Sequence, residues 1–181
     1  MFRHALKGLV VAAAAAAVLP AAAQSFALEA AVGSSKLTDD TGGLDDTATA
    51  VGLLGRYTWA NGLGVEGGLR GHGEWAVSDG INTLRPSVTS VMLGLSYDLP
   101  VGNWSLGARA GVHAWRLRGN AISPGSQVAY IFEDNGASTY YSLGASYAVT
   151  ERLSLGSYYN VFNLEDGAKI KGLDVRLSYR F

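Results

Sequence analysis

The chain closes on Gly172-Leu-Asp-Val-Arg-Leu-Ser-Tyr-Arg-Phe181, in which Leu173, Val175, Leu177, Tyr179 and Phe181 alternate with Asp174, Arg176, Ser178 and Arg180. A period of two places the first set on one face of a β-strand and the second on the other. One face is apolar and finishes in two aromatic rings; the other is charged. In a water-soluble sheet the apolar face would meet a core. In a transmembrane barrel it meets lipid, and the polar face lines the lumen.

The same alternation recurs upstream. It predicts eight strands: 25–33, 47–59, 63–73, 88–99, 104–116, 138–149, 153–163 and 171–181. At about 9 to 13 residues each, they exceed the usual soluble strand and match a tilted membrane-crossing one. Their connections alternate in length. Ala60-Asn61-Gly62, Pro100-Val101-Gly102-Asn103 and Thr150-Glu151-Arg152 are tight turns, whereas 36–46, 74–86, 119–137 and the shorter 164–170 are loops. Short turns on one rim and long loops on the other are the pattern of outer-membrane barrels, with turns periplasmic and loops extracellular. The fold class expected is therefore all-β, an eight-stranded antiparallel up-and-down barrel with both termini periplasmic.

Residues 1–23 read as a cleaved signal peptide. Arg3 and Lys7 supply positive charge, Leu9 to Leu19 a short apolar run, and Ala21-Ala22-Ala23 a small-residue cleavage site. The barrel domain is then 24–181. Of 14 Lys and Arg, removal of Arg3 and Lys7 leaves 12, against 15 acids. That balance offers no basic surface for nucleic acid. The chain has no cysteine, which excludes disulfides and thiolate metal sites.

Related segments end the even-numbered strands: Leu53-Leu54-Gly55-Arg56-Tyr57, Leu93-Gly94-Leu95-Ser96-Tyr97, Leu143-Gly144-Ala145-Ser146-Tyr147 and Leu177-Ser178-Tyr179. Their tyrosines, with Phe26, Trp59 and Trp104, predict an aromatic girdle at the turn-side headgroup level. Trp75, Tyr141 and Tyr159 are candidates for a girdle on the other rim.

The inward positions carry Glu29, Arg56, Glu66, Arg70, Asp98, Arg109, Asp174, Arg176 and Arg180. Charges in a narrow lumen must pair or meet water. Gly64, Gly68, Gly94, Gly107, Gly111, Gly144 and Gly156 leave room for the arginine side chains. Because eight strands enclose only enough space for side chains, the expectation is a plugged, salt-bridged interior in which any conduction is a small gated leak.

No catalytic residue is assigned and no enzymatic activity is expected. His72 and His113 both point inward, away from a lipid substrate, and neither lies in a His-x-Ser pair like that of lipid A deacylase barrels. Asp39, Asp40, Asp45 and Asp46 surround Gly42-Gly43 without EF-hand spacing and read as a solvated acidic loop. No cofactor fingerprint or zinc spacing is present, so neither cofactor nor metal is expected.

The chain resembles the small outer-membrane β-barrel family that includes the OmpA-type and opacity-type surface proteins. The resemblance covers everything after the signal. Its terminal residues, with Asp174, Tyr179 and Phe181, are similar to the signal read by the barrel-assembly machinery; Arg176 departs from it, standing where the family usually has Gly. Membership implies an outer-membrane monomer in lipid and lipopolysaccharide, with a structural or surface-interaction role. The rival readings are a lipid A-modifying enzyme, a small leak porin and a soluble periplasmic ligand-binding barrel. Lys36, Arg85, Arg116, Arg118, Lys169 and Lys171 lie near the strand ends, placed to meet lipopolysaccharide phosphates, with most acids farther out in the loops. Tyr130, Ile131 and Phe132 are the expected apolar recognition patch of the longest loop.

Overall fold

The computed structural model describes residues 25–38, 46–78, 83–122 and 130–181. The expected signal peptide, Asp39, Asp40 and Asp45 lie outside them. Strand formation follows the alternation: β1 (Ser25–Thr38), β2 (Thr47–Thr58), β3 (Leu63–Glu74), β4 (Val77–Ser78), β5 (Thr83–Val101), β6 (Trp104–Ile122), β7 (Tyr130–Ala148), β8 (Leu153–Asn163) and β9 (Lys169–Arg180). Each long strand pairs antiparallel with its sequence neighbours, and β1 pairs with β9. The β3–β5 pairing makes the eight long strands a closed barrel; the two-residue β4 prolongs the β3 side against the top of β5. Closure satisfies every wall strand without a free edge inside the membrane. Phe181 N–H donates to the Phe26 carbonyl at 2.9 Å, fastening the last residue to β1.

The face assignment follows the expected phase. Leu28, Val32, Leu53, Leu69, Val91, Leu95, Val112, Leu143, Leu155, Val175 and Leu177 are exposed on the outer wall. Phe26, Tyr57, Trp59, Tyr97, Trp104, Tyr147, Tyr179 and Phe181 gather on the turn side. Several touch edge to face, as Trp104 and Tyr147 do at 5.1 Å between centroids.

Three features correct the sequence reading. Strands β5, β6 and β7 run much farther on the loop side than expected: the ladder continues to Thr83↔Ile122 and Ala121↔Tyr130. There the outward residues are mostly polar (Arg85, Ser87, Arg116, Arg118, Glu133, Asn135) apart from Ile131, so apolar alternation marks only the membrane-crossing part of each strand. Second, Trp75 is fully buried inside the barrel rather than in an outer girdle, with its indole N–H donating to the Ser35 carbonyl at 3.1 Å. Gly73 takes φ of 88° and the register slips between Gly71 and Glu74. A bulge of this kind reverses the phase of every residue after it. Tyr141 and Tyr159 are exposed on the outer wall.

Third, the inward glycines accommodate rings and crossing backbone more than arginines. A Cβ on Gly144 or Gly107 would press into Tyr158, and one on Gly94 or Gly111 into Tyr140. Gly144→Val therefore drives a branched side chain into the Ser157 carbonyl and the Tyr158 ring, and should abolish the heat-modifiable folded form on detergent gels. Gly71 faces outward, where a Cβ meets only Val51 at 3.7 Å; Gly71→Val should fold with its stability to urea within about 1 kcal/mol of the parent.

Candidate functional site

The lumen is graded. On β3 the inward residues climb from the turn side as Glu66, Arg70, His72 and, past the bulge, Trp75. On β6 they climb as Arg109, His113 and Trp115, and on β9 they descend from Ile170 to Asp174 and Arg176. Ionic groups occupy the turn-side half and rings the loop-side half.

Arg109 is the hub of the ionic half. Its guanidinium donates to Glu29 at 2.8 and 3.2 Å and to Glu66 at 2.7 Å. Glu29 also meets Arg56 at 2.9 Å and Arg176 at 3.7 Å, and Arg56 forms a second ion pair with Asp98. Arg70 grips Asp174 with both terminal nitrogens, at 2.6 and 2.8 Å. Arg176 lies 3.6 Å from Asp174 and donates to the Asn160 side-chain carbonyl at 2.6 Å. Four arginines thus face four carboxylates. Bidentate, charge-assisted contacts suit the planar guanidinium and offset its desolvation. Arg180 is exposed at the turn-side mouth and takes no part in these contacts; it lines an open vestibule of about 580 Å³ with Arg56, Asp98 and Arg152.

Two tyrosines complete the network. Tyr140 donates to Glu66 at 2.8 Å, and the Tyr158 ring carries the guanidinium carbons of Arg109 and Arg176 at 4.5 and 4.4 Å from its centroid. The sequence reading named neither, although the phase that turns Ser142 and Asn160 inward also turns Tyr140, Tyr158 and Phe162 inward.

Above the ionic half, Ser90 sits between His72 Nε2 at 3.0 Å and His113 Nδ1 at 3.1 Å. His113 Nε2 lies 2.8 Å from the Asn163 carbonyl, which only accepts. For neutral rings this fixes the direction of the chain: His113 Nε2–H donates to Asn163, Ser90 O–H to His113 Nδ1, and His72 Nε2–H to Ser90. Among the described residues His72 Nδ1 has no hydrogen-bond partner. This Ser–His contact was not foreseen. It has no carboxylate in hydrogen-bond reach among the described residues, and all three side chains are buried within the barrel, away from the lipid face. Phe162 packs on His72 and His113 at 4.6 and 5.2 Å and stacks on Tyr140; with Trp75, Trp115, Val88, Ile170, Leu37, Leu117 and Leu164 it forms an apolar plug.

At the loop-side rim, Lys36 stands directly across from Lys171, and Lys169 lies opposite Thr38. Arg116 and Arg118 reach Glu133 at 2.9 and 3.6 Å, and Arg85 reaches Glu74 at 3.6 Å. Of the expected recognition patch, Ile131 is 80 % exposed. Phe132 is half-buried with its ring over Gly119, its partner across the ladder, so the two residues do not form one apolar surface. The Tyr130 side chain lies outside the described residues. Asp46, from the acidic loop, accepts from the Thr47 and Ala76 N–H groups.

A closed eight-stranded barrel with a lipid-facing apolar belt and a polar interior defines the class of small transmembrane barrels. The chain belongs to the family described as outer membrane protein beta-barrel domain, whose model matches residues 8–181, and its location is the outer membrane. Solved structures share the fold. Ail, the attachment invasion locus protein of Yersinia pestis, solved in complex with the heparin analogue sucrose octasulfate, is 19 % identical with a TM-score of 0.59 over 87 % of this chain and 97 % of its own. Neisserial surface protein A is 16 % identical, with a TM-score of 0.61 over 86 % and 97 %. A major outer membrane protein from Thermus thermophilus is 14 % identical, with a TM-score of 0.62 over 88 % and 100 %. No curated protein matches the sequence.

Removing one partner of a buried ion pair leaves the other charge stranded. Arg70→Ala should lower stability by about 3 to 5 kcal/mol, measured by denaturant unfolding in lipid vesicles. The double variant Arg70→Ala, Asp174→Ala should recover most of that loss.

Proposed function

We propose that this protein is a non-enzymatic surface-display barrel: the wall anchors it, the lumen is sealed, and the loop-side extension of β5, β6 and β7 meets partners outside the cell. The observation that carries the reading is the pairing of a closed interior with a ladder that continues past the apolar belt. A pore would need a continuous wet path, but the ionic half is neutralised by bidentate pairs and capped by Trp75, Phe162 and Ile170, each at most 1 % exposed. A porin role finds no support in such a lumen. A lipid A-modifying role would need its Ser–His pair on the lipid side, and Ser90 with its histidines faces the other way.

The turns are periplasmic and the extension extracellular in this reading, with both termini periplasmic. Asp174, Tyr179 and Phe181 are the residues offered to the barrel-assembly machinery. Tyr179 and Phe181 are exposed to the lipid and stacked edge to face at 5.1 Å, while Asp174 is buried in the lumen. In this reading the chain is a monomer, which the closure of its strands on themselves supports.

Lys36, Lys169 and Lys171 at the β1–β9 seam form the lipopolysaccharide contact. Lys36 and Lys171 face each other across the ladder, which sets two ammonium groups where one phosphate can reach both.

Two experiments test the reading. A cysteine at Ser126, outside the described residues, should react with an impermeant maleimide on intact cells, and one at Gly102 should not; the opposite pattern inverts the barrel. Replacing Val128 to Asp134 with a Gly/Ser segment should leave the heat-modifiable barrel intact and abolish cell-surface binding. Full rescue of a null-strain phenotype by that variant would refute the display role.

A further inference from the structure

The extension has one covered edge and one open edge. On one side, β4 pairs with the top of β5 through Val77↔Leu84 and Ser78↔Thr83. On the other, β7 pairs with β6 from Trp104↔Tyr147 up to Ala121↔Tyr130, but its pairing with β8 stops at Tyr140↔Phe162. Residues 130–139 therefore have β6 on one flank and, among the described residues, no strand on the other. The lower part of this edge is covered. Asn163 donates to Thr139 Oγ1 at 2.8 Å, and Glu165 lies against Gly136, where a Cβ would come within 2.7 Å of its carboxylate. Above that remain Tyr130-Ile131-Phe132-Glu133-Asp134-Asn135, roughly 20 Å of strand at about 3.4 Å per residue.

The direction of the backbone groups is also fixed. Ala148 N–H donates toward the β6 side, to Asn103, so even-numbered β7 residues address β6. The odd-numbered Ile131, Glu133 and Asn135 then turn N–H and C=O toward the open flank. Consistent with this, Asn135 N–H is taken by its own neighbour, the Asp134 carboxylate, at 2.8 Å. Edge strands are ordinarily guarded by proline, lysine, a bulge or a covering segment. Residues 130–135 contain no proline or lysine, the β6–β7 register has no slip, and Ile131 is exposed. The charge present is acidic: Glu133, shared with Arg116 and Arg118, and Asp134 and Glu165, which have no cationic partner among the described residues. An acidic edge repels acidic strands and leaves basic ones free to pair.

We propose that residues 130–135 of β7 are a strand-addition site, which takes up an extended basic polypeptide segment of about six residues as a further strand of the extension. The segment's backbone pairs with Ile131 and Glu133 and with the Asn135 carbonyl. Its apolar side chains lie on the outer face beside Ile131, and its lysines or arginines on the opposite face beside Asp134 and Glu165. A second copy in the same membrane fits poorly, since its β7 runs in the same direction and sets Glu133 and Asp134 against themselves. This inference rests on the display reading and adds how the partner is held: by backbone pairing.

The probe is a fluorescent hexapeptide of alternating lysine and valine, offered to the full barrel in nanodiscs. Three comparisons accompany it: the same peptide N-methylated at alternate amides, a glutamate–valine version, and the Ile131→Pro variant, which removes one outward N–H without touching the β6 ladder. The lysine–valine peptide should bind at least tenfold tighter than the other two peptides. Ile131→Pro should lose that advantage while remaining heat-modifiable, and amide exchange at Ile131 and Glu133 should slow in the complex. Failure of the lysine–valine peptide to bind, equal binding of the N-methylated peptide, or unchanged binding by a folded Ile131→Pro barrel each overturns strand addition. Should Ile131→Pro fail to fold, unprotected amides at Ile131 and Glu133 in the wild-type complex overturn it instead. Dimers that depend on the same edge would reassign it to a second copy. In any of these cases, loss of surface binding in the Gly/Ser replacement still supports display, so the two ideas fail separately.

Discussion

The fold depends on the neutrality of its interior. Arg109 between Glu29 and Glu66, and Arg70 on Asp174, sit where neither bulk water nor lipid headgroups can solvate them. Desolvation of that many ions is tolerable only if every carboxylate has a guanidinium, and here four meet four. Since the members come from β1, β2, β3, β5, β6 and β9, the network also couples strands that are not neighbours in the wall. It holds the strands in one registration, because a slip of one residue would carry an ion to the lipid face.

The remaining structure follows from keeping that network enclosed. Glycines at 94, 107, 111 and 144 let Tyr140 and Tyr158 lie over the neighbouring strands of the wall. Those rings then support Arg109, Arg176 and Glu66. Farther up, the ionic groups give way to the His72–Ser90–His113 chain and to the Phe162, Trp75 and Trp115 rings. The Gly73 bulge is part of this arrangement, since without it Trp75 would face lipid and the plug would lack one of its two indoles. In the proposed reading a sealed lumen leaves interaction with the outside to the rim and to the three-stranded extension. There the outward residues are mostly polar, with Ile131 the exposed exception, and among the described residues one edge is open.

Much of this was legible in the residues. Period-two alternation gave the strand count, the faces and the inward identity of the eight paired lumen charges, because a two-faced wall between lipid and lumen imposes opposite chemistry on adjacent residues. Loop lengths gave the alternation of rims. Tyr140 and Tyr158 follow the same phase, against the expectation that aromatic residues in such a chain lie on the lipid side.

What the sequence alone determined is the set of inward ions and the closed antiparallel order, since both follow from local patterning repeated strand by strand. Which arginine meets which acid, the phase reversal at Gly73, the placing of Phe132 over Gly119 and the reach of β5–β7 beyond the apolar belt were decided only by the tertiary structure. Partners such as Arg70 and Asp174 lie 104 residues apart in the chain. They meet across the lumen, where the stagger of a closed barrel, rather than any spacing along one strand, brings them opposite each other. Outside the hydrocarbon, the ladder is held by cross-strand pairing that leaves no apolar period to read.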